Sequence, residues 1–388
     1  MSAEKPIFNP ILYLGVPNCF LGILLATNAS YAWRALYMTG VTYTTYLSYN
    51  SSTRNYQADY IFGCIVMEQW VSSFQMLFLE NPIEEWRHRN DKIHPREYPL
   101  WYRIYWCFCA RSTLRGIGWS RSKLNAPIPS PSRAKFLVTR SARILGSLLW
   151  ADLAQTFMSF YPDIYFSTST QVFTDQKLWL QLLTLFGTAS VAISGISMFY
   201  NIFAVSMVGT GLHSPMDWPD CFGSPLDAYS VARFWGKLWH QCLSRHVIGY
   251  GKAASKALGL EPRSTLSYVV LLLVGFFVSG LIHCGGDAMF GWREFGDSMF
   301  IFQIQALGIL AEKAFANTVQ RLGIRPGVVL TRAVGFAWVA AWFWLTARMF
   351  VVSCIKKGLA DTFITPISVV GPLEARFHLL ETIINYTK

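Results

Sequence analysis

A histidine near the end of a long apolar segment is the first residue whose type and position could support chemistry. The segment 274–283 carries Gly275 and Ser279 at intervals of four residues before His283. On a helix, this spacing places all three on one face, and small residues there allow a neighbouring helix to approach closely. We therefore expect His283 to point into a helical bundle and away from lipid.

The imidazole of His283 has two interpretations. Low-dielectric surroundings favour its neutral form, which can accept a proton and act as a general base. Alternatively, it caps the helix end or bonds a neighbouring carbonyl group, and the physics of the segment favours neither. Ser279 is a weaker candidate as a nucleophile, because no third group that would orient the pair is evident. Asp287 could orient the imidazole, although a charge at a helix end explains this residue better.

A second candidate site lies in a more polar part of the chain. Pro and Gly residues punctuate the segment 218–225, which predicts a turn-rich loop. The segment 230–242 follows with an amphipathic pattern, and Ser230 is the predicted N-cap of a short helix. A loop followed by a capped helix is thus expected between two apolar stretches.

Helical spacing within this segment places Trp235 and Trp239 on one face. A second face carries the polar residues Arg233, Lys237 and Gln241. Gly236 would lie one turn before His240 and leave room beside its imidazole. An interfacial helix with Trp anchors and a basic face explains all of this pattern except Gly236 and His240, and it remains the structural alternative.

The cysteines give little support for a metal site. The chain has 8 Cys and no CxxC pair, and half of the cysteines fall in apolar runs. Cys107 and Cys109 are two residues apart without a histidine beside them, which is weak evidence for metal ligands. We interpret the cysteines as unpaired thiols that behave like small apolar residues, and we expect no metal.

The elements that must position these residues are membrane helices. Of the 388 residues, 53% are hydrophobic and 14% are charged, whereas a soluble domain usually has about 25% charged residues. Several stretches reach the roughly 20 apolar residues that a spanning helix needs. The sequence therefore predicts an all-α, polytopic transmembrane helical bundle.

We predict about eight spans in a single integral-membrane domain that covers residues 1–388. No internal repeat is visible, which counts against the inverted-repeat transporter folds. The predicted spans are 8–27, 32–48, 59–80, 144–162, 179–208, 265–286, 298–318 and 329–354.

Charge predicts the orientation of these spans. The segment 84–143 holds 13 Lys and Arg against 4 Asp and Glu, in a chain whose net charge is +11. The loop 209–264 carries six more basic residues, and a short loop carries Arg321 and Arg325. All three fall on one side, which the positive-inside rule makes cytosolic. Anionic membrane lipid explains the charge, and no aromatic-interleaved patch indicates nucleic acid.

Three glycosylation sequons begin at Asn28, Asn50 and Asn385. In the predicted topology Asn50 and Asn385 are lumenal and Asn28 is cytosolic. Asn50 and Asn385 are therefore the two candidate glycosylation sites of a predicted glycoprotein, although such sequons also arise by chance.

Three short segments resemble the wax-synthase-like branch of the membrane-bound O-acyltransferase superfamily. Residues 233–241 (RFWGKLWHQ) and 277–283 (FVSGLIH) carry the resemblance, and residues 115–119 (RGIGW) are similar to fungal members that acetylate terpenoids and meroterpenoids. The resemblance covers most of the chain in layout and is specific at these three segments. The motif-bearing catalytic region is thus expected at 215–290.

The resemblance implies that His283 is the catalytic base in a membrane-buried chamber and that the segment with His240 faces the acyl-CoA. The superfamily usually has asparagine at the position of His240, which leaves a hydrogen-bond donor and a second base as alternatives. Trp239 and Gln241 would assist His240 with the oxyanion or the thioester. The expected substrate-binding residues are Trp235, Trp239, Gln241, Arg233, Lys237 and Ser279.

The expected reaction is the transfer of acetyl from acetyl-CoA to a hydroxyl group of a lipophilic terpenoid, in the endoplasmic reticulum membrane. Arg233, Lys237 and the segment 84–143 would bind the CoA phosphates. No bound cofactor or metal is expected, because a thioester is already activated. A long-chain wax synthase is the first alternative. A transporter is the second and would depend on intramembrane charges such as Glu68 and Asp152.

Overall fold

The computed structural model describes residues 5–120, 131–167, 173–362 and 368–369. Within these ranges the chain forms helices and no strand, as the sequence predicts. The α-helices are α1 Val16–Ala26, α2 Tyr31–Tyr49, α3 Tyr56–Phe74, α4 Pro82–Glu85, α5 Leu100–Ser112, α6 Arg133–Ser159, α7 Pro162–Tyr165, α8 Leu178–Gly209, α9 Val231–Arg233, α10 Ser244–Ala257, α11 Thr265–Ala288, α12 Asp297–Arg321 and α13 Val328–Lys356. Five-residue π-helical turns precede α1 (Ile11–Gly15) and extend α3 (Gln75–Leu79) and α9 (Phe234–Leu238).

Each predicted span coincides with a helix, but the number eight is not confirmed. Three of the corresponding helices are weaker candidates: α1 is short, α2 carries Arg34 among Tyr and Thr residues, and α6 begins with a basic stretch. Five helices in the described part of the chain are long and apolar enough to cross a membrane: Tyr56–Leu79, Leu178–Gly209, Thr265–Ala288, Asp297–Arg321 and Val328–Lys356.

The segment 84–143 is more ordered than the predicted loop. It contains α5 and the first turns of α6, while its residues 121–130 lie outside the described ranges. The α5 helix forms because Trp106, Cys107 and Ala110 share an apolar side, which packs in a core that includes Leu21 of α1. Periodic apolar residues among the basic ones therefore explain this difference.

The chain divides into two compact units. In the described ranges, the first consists of residues 5–54, 59–120 and 212–343, and the second of residues 55–58, 131–167, 173–211, 344–362 and 368–369. The first unit contains all three segments that carry the family resemblance.

Helices α10 and α11 pack closely in the first unit. A Cβ on Gly275 would lie 2.6 Å from Val247 of α10, and a Cβ on Gly251 would lie 2.9 Å from Leu271 of α11. Glycine on each helix thus admits the other helix. The expected close approach at Gly275 is confirmed.

A buried polar network links α3, α5 and α10 in the first unit. Arg111 donates two hydrogen bonds to the Glu68 carboxylate, at 3.2 and 2.9 Å. The His246 Nε2 atom lies 2.8 Å from Glu68, and its Nδ1 atom lies 2.7 Å from Gln75 Oε1. Glu68 therefore has charged and polar partners within the protein, as a buried carboxylate requires.

In the second unit, α6 and α8 pack side by side. Buried Arg140 donates to Asn201 at 3.1 Å, and Ser147 bonds Ser197 at 3.0 Å. The carboxylate of Asp152 accepts hydrogen bonds from the Ser368 hydroxyl at 2.6 Å and the Val369 amide at 2.7 Å. Asp152 is thus bonded within its own unit.

Two of the predicted sequons lie in described segments near helix ends. Asn28 has a positive φ of 48°, and its side-chain oxygen accepts from Arg34 at 2.7 Å. The side-chain amide of Asn50 donates a hydrogen bond to the Tyr46 carbonyl at 2.9 Å. Asn385 lies outside the described residues, and glycosylation stays a prediction.

Candidate functional site

His283 lies half-buried in the last two turns of α11. Its Nδ1 atom is 2.8 Å from the backbone carbonyl oxygen of Ser279. A carbonyl can only accept a hydrogen bond, so Nδ1 carries the hydrogen. In the neutral imidazole, Nε2 then holds the lone pair and can accept a proton. The bond to a neighbouring carbonyl is one of the two interpretations of this residue. It is compatible with the other, because it leaves Nε2 as the basic nitrogen.

Asp287 does not serve as the hydrogen-bond partner of His283 Nδ1. Its buried carboxylate accepts the backbone N–H of Ser298 at 2.9 Å, in the first turn of α12. A carboxylate at a helix N-terminus satisfies backbone amides that have no partner within the helix. Asp287 is therefore a helix-end charge, which is the interpretation that the sequence favoured.

An aromatic ring of α12 covers the imidazole. The Phe302 ring centroid lies 4.2 Å from that of His283, with 31° between the planes. Gly280 admits α12 at this point, since a Cβ on it would lie 3.0 Å from Met299 Sδ and 3.3 Å from Phe302 Cβ. The close approach of α11 and α12 thus sets the surroundings of His283.

The segment with His240 begins as predicted and ends earlier. The Ser230 hydroxyl accepts the Arg233 amide at 3.1 Å, which confirms the N-cap. The predicted helix through residue 242 is wrong, because the π-helical turn closes at Leu238 and Trp239 is extended (φ −66°, ψ 153°). The Trp239 amide instead bonds the Phe234 carbonyl at 2.8 Å.

Gln241 stabilises this early ending. Its side-chain amide donates to the carbonyl oxygens of Trp235 at 2.8 Å and Trp239 at 2.7 Å. Both acceptors lie upstream, so the side chain folds back over the turn. Gln241 therefore does not share a helical face with Arg233 and Lys237, and its amide is engaged with the protein backbone.

Glu312 of α12 anchors the start of the same segment. Its carboxylate accepts the backbone amides of Val231 at 2.6 Å and Ala232 at 3.1 Å, and the Trp338 indole N–H at 2.8 Å. Free amides at a helix N-terminus are natural partners of a carboxylate. This contact fixes the His240 segment relative to the helix that carries Phe302.

Glu312→Ala is expected to lower the free energy of unfolding by about 1.5–3 kcal/mol, because hydrogen bonds to a charged group are lost. Glu312→Gln should retain more stability, since an amide oxygen still accepts. The measurement is unfolding of purified protein in detergent, with exposed Gln320→Ala on the same helix as the matched control. Equal unfolding of Glu312→Ala and Gln320→Ala would contradict the anchoring role.

A series of ring contacts connects the two candidate histidines. The centroid distances are 5.6 Å from His240 to Trp239, 5.9 Å from Trp239 to Trp235, 6.1 Å from Trp235 to Phe302 and 4.2 Å from Phe302 to His283. The structure thus brings together residues that are 43 positions apart in the sequence.

The two basic candidates of this segment differ in their surroundings. The Arg233 guanidinium forms an ion pair with Asp227, donates to its carbonyl at 2.8 Å and lies 4.2 Å above the Tyr229 ring. Lys237 is exposed. Of the two, Lys237 has the charged group that reaches solvent, whereas the Arg233 charge is engaged locally.

Residues 115–119, the third segment that resembles the acyltransferases, contact the loop before His240. Arg115 donates to the Asp220 carbonyl at 2.8 Å. Interactions with the side chains of Cys221 and His240 hold the pKa of the Cys242 thiol well below its usual range. The Nδ1 atom of His240 is buried and has no hydrogen-bond partner among the described residues. The His240 imidazole is therefore held beside polar groups and keeps one nitrogen unsatisfied.

Sequence reasoning missed several residues that shape this site. Phe302, Gln305 and Glu312 belong to α12, which shows no motif. Glu312 stands out in the sequence as an ionisable residue in a predicted span, but only the packing of α12 against α11 and the His240 segment reveals the position of all three. No group of three or more His, Cys, Asp or Glu side chains that could hold a metal ion occurs among the described residues.

Comparison with known proteins adds a family match. The model described as "Membrane bound O-acyl transferase family" matches residues 218–304, which include both candidate histidines. The chain is 26% identical to acetyltransferase eriL of Hericium erinaceus, with 95% of this chain and 97% of the relative covered. It is 28% identical to acetyltransferase ple2 of Rhodocybe pseudopiperita (87% and 89% covered) and 30% identical to acetyltransferase ataH of Aspergillus terreus (62% and 85% covered).

Proposed function

Because the chain belongs to the membrane-bound O-acyltransferase family, we propose that it transfers acetyl from acetyl-CoA to a hydroxyl group of a lipophilic terpenoid or meroterpenoid. An acyl donor and an acyl acceptor follow from the family. The acetyl group is supported by the names of the three relatives, and the acceptor class by the resemblance of residues 115–119 to terpenoid-acetylating members.

The observation that carries this proposal is the hydrogen bond from His283 Nδ1 to the Ser279 carbonyl. It fixes the ring and leaves Nε2 as the proton acceptor. In the proposed reaction, Nε2 takes the proton of the acceptor hydroxyl as its oxygen attacks the thioester carbonyl. The tetrahedral intermediate then expels the CoA thiolate, and the proton held on His283 can return to it.

His240 is proposed to stabilise the oxyanion of that intermediate. Its buried Nδ1 atom has no hydrogen-bond partner among the described residues, and in the tautomer with the hydrogen on Nδ1 this atom can donate to a developing negative charge. The ring contacts with Trp239 and Phe222, at 5.6 and 6.2 Å, hold the imidazole in place. This role needs a hydrogen-bond donor and no proton transfer.

His240→Ala is expected to lower kcat about 10²–10³-fold, the usual cost of losing one oxyanion donor. His240→Asn should retain more activity, because an amide can still donate and the superfamily usually has asparagine here. Steady-state kinetics of the two purified variants test this. An equal loss of kcat in both variants would favour proton transfer by His240. Wild-type rates in both would show that the segment serves only as an interfacial anchor.

The proposed compartment is the endoplasmic reticulum membrane, with the segments 84–143 and 209–264 on the cytosolic face. Lys237 and other basic side chains there are the proposed partners of the CoA phosphates. This sidedness stays a prediction, and protease protection of tagged, sealed microsomes would test it.

The proposed function is tested with purified protein, labelled acetyl-CoA or palmitoyl-CoA, and a panel of hydroxylated terpenoids. We expect label from acetyl-CoA in a terpenoid ester. Transfer of palmitoyl in its place would identify a long-chain acyltransferase of the wax-synthase kind. No transfer from either donor to any hydroxyl acceptor would contradict the proposal.

A further inference from the structure

Aromatic side chains fill the apolar space beside His283. Phe302 is only 7% exposed and stacks on the imidazole at 4.2 Å. Behind it lies Trp235, whose ring centroid is 6.1 Å from Phe302 and 5.6 Å from Phe276 of α11. The two rings therefore occupy adjoining volume between α11 and α12, next to the proposed base.

Polar and ring contacts orient Trp235 in this position. Its indole N–H points to the Gln305 side-chain oxygen at 3.4 Å, and the Trp342 indole N–H donates to the same oxygen at 2.9 Å. Gln305 is 2% exposed and lies on α12, one turn from Phe302. This contact and the rings of Phe276 and Phe302 thus place the Trp235 ring beside Phe302.

We propose that Phe302 and Trp235 limit the acyl chain that this enzyme accepts, so that acetyl fits beside His283 and longer chains do not. The inference rests on the proposed function, since it assumes that the thioester carbonyl reaches His283. An acyl chain beyond two carbons must continue from that carbonyl into apolar surroundings. Beside the imidazole the two rings already occupy the apolar space, and packed protein interiors leave little free volume.

The test is the acyl preference of Phe302→Ala. The ratio of kcat/KM for hexanoyl-CoA to that for acetyl-CoA, measured with one acceptor, is expected to rise about 10–200-fold, since even one methylene in an apolar pocket can change discrimination by that factor. Phe302→Leu removes less volume and should give a smaller rise. It also covers the case in which the alanine variant does not fold.

Phe300→Leu is the matched control. Phe300 lies on α12 two residues before Phe302, and its side chain is exposed. This variant loses the same kind of aromatic ring from the same helix but away from His283 and Trp235. Its hexanoyl-to-acetyl ratio should stay at the wild-type value.

A binding readout separates this inference from the proposed function. Thermal protection of each variant by acetyl-CoA and by hexanoyl-CoA, without acceptor, reports the chain-length preference independently of turnover. Wild-type protein that transfers no acyl group would refute the proposed function, whereas binding would still report the preference. Wild-type protein that transfers acetyl, together with unchanged ratios in both Phe302 variants in both assays, would overturn the inference.

Discussion

His283→Ala is expected to lower acetyl transfer by about 10²–10⁴-fold, the contribution that a general base usually makes. The variant should still fold and bind acetyl-CoA. Among the described residues, the hydrogen bond of His283 goes to a backbone carbonyl and its ring contact is with Phe302, and neither of these is a buried charge pair. The measurements are turnover and acetyl-CoA affinity of detergent-purified protein with matched elution profiles.

The control for this variant is Phe277→Leu, which changes an exposed apolar residue on the same helix. It should keep nearly wild-type turnover and affinity. A purely structural His283 would instead lose stability and acetyl-CoA binding together. Folded His283→Ala protein with near wild-type turnover would rule out the proposed base.

The largest effect on stability is expected for Arg111→Met. Arg111 donates two hydrogen bonds to Glu68, and removing it leaves a largely buried carboxylate, 14% exposed, without its main counter-charge. Breaking such a pair typically costs about 3–5 kcal/mol. The free energy of unfolding in mixed detergent should fall by this amount, while Glu68 keeps its contact with His246.

The double variant Glu68→Gln/Arg111→Met provides the control, because it removes both charges. It should recover part of the lost stability, since the penalty arises from the unpaired carboxylate and not from the missing side chain. If Arg111→Met unfolded at the wild-type denaturant concentration, the network would have no structural role.

Long apolar runs predicted the helices well. The sequence pattern of α11 predicted both the helix and the close approach of a neighbouring helix at Gly275, because a glycine in an apolar helix has few roles apart from packing. The predicted spans coincide with helices for the same reason. The amphipathic helix α5 was missed, since its basic residues dominate the charge count although Trp106 and Cys107 are buried.

The candidate site could be predicted only in part. His283 and His240 were identified because polar residues in apolar or turn-rich surroundings stand out in a sequence. The helix ends at Leu238 because the Gln241 side chain donates hydrogen bonds back to the turn. The spacing of residues on helical faces does not predict such bonds.

The remaining site residues depend on tertiary packing. Phe302 is an ordinary member of an apolar helix and Glu312 is one of its few charged residues, and only the approach of α12 to α11 and α9 shows which groups they contact. Sequence spacing describes one helix at a time. Contacts between helices far apart in the chain lie beyond it.

In the proposed reaction, a hydroxyl oxygen attacks the thioester carbonyl while His283 takes its proton. The most direct measurement is acetyl transfer from acetyl-CoA to a terpenoid alcohol whose hydroxyl carries a heavy oxygen isotope, followed by mass analysis of the ester. We expect the ester to retain the isotope with wild-type protein and to fall to background with His283→Ala. An ester that lost the isotope, or one formed equally well without His283, would contradict the account.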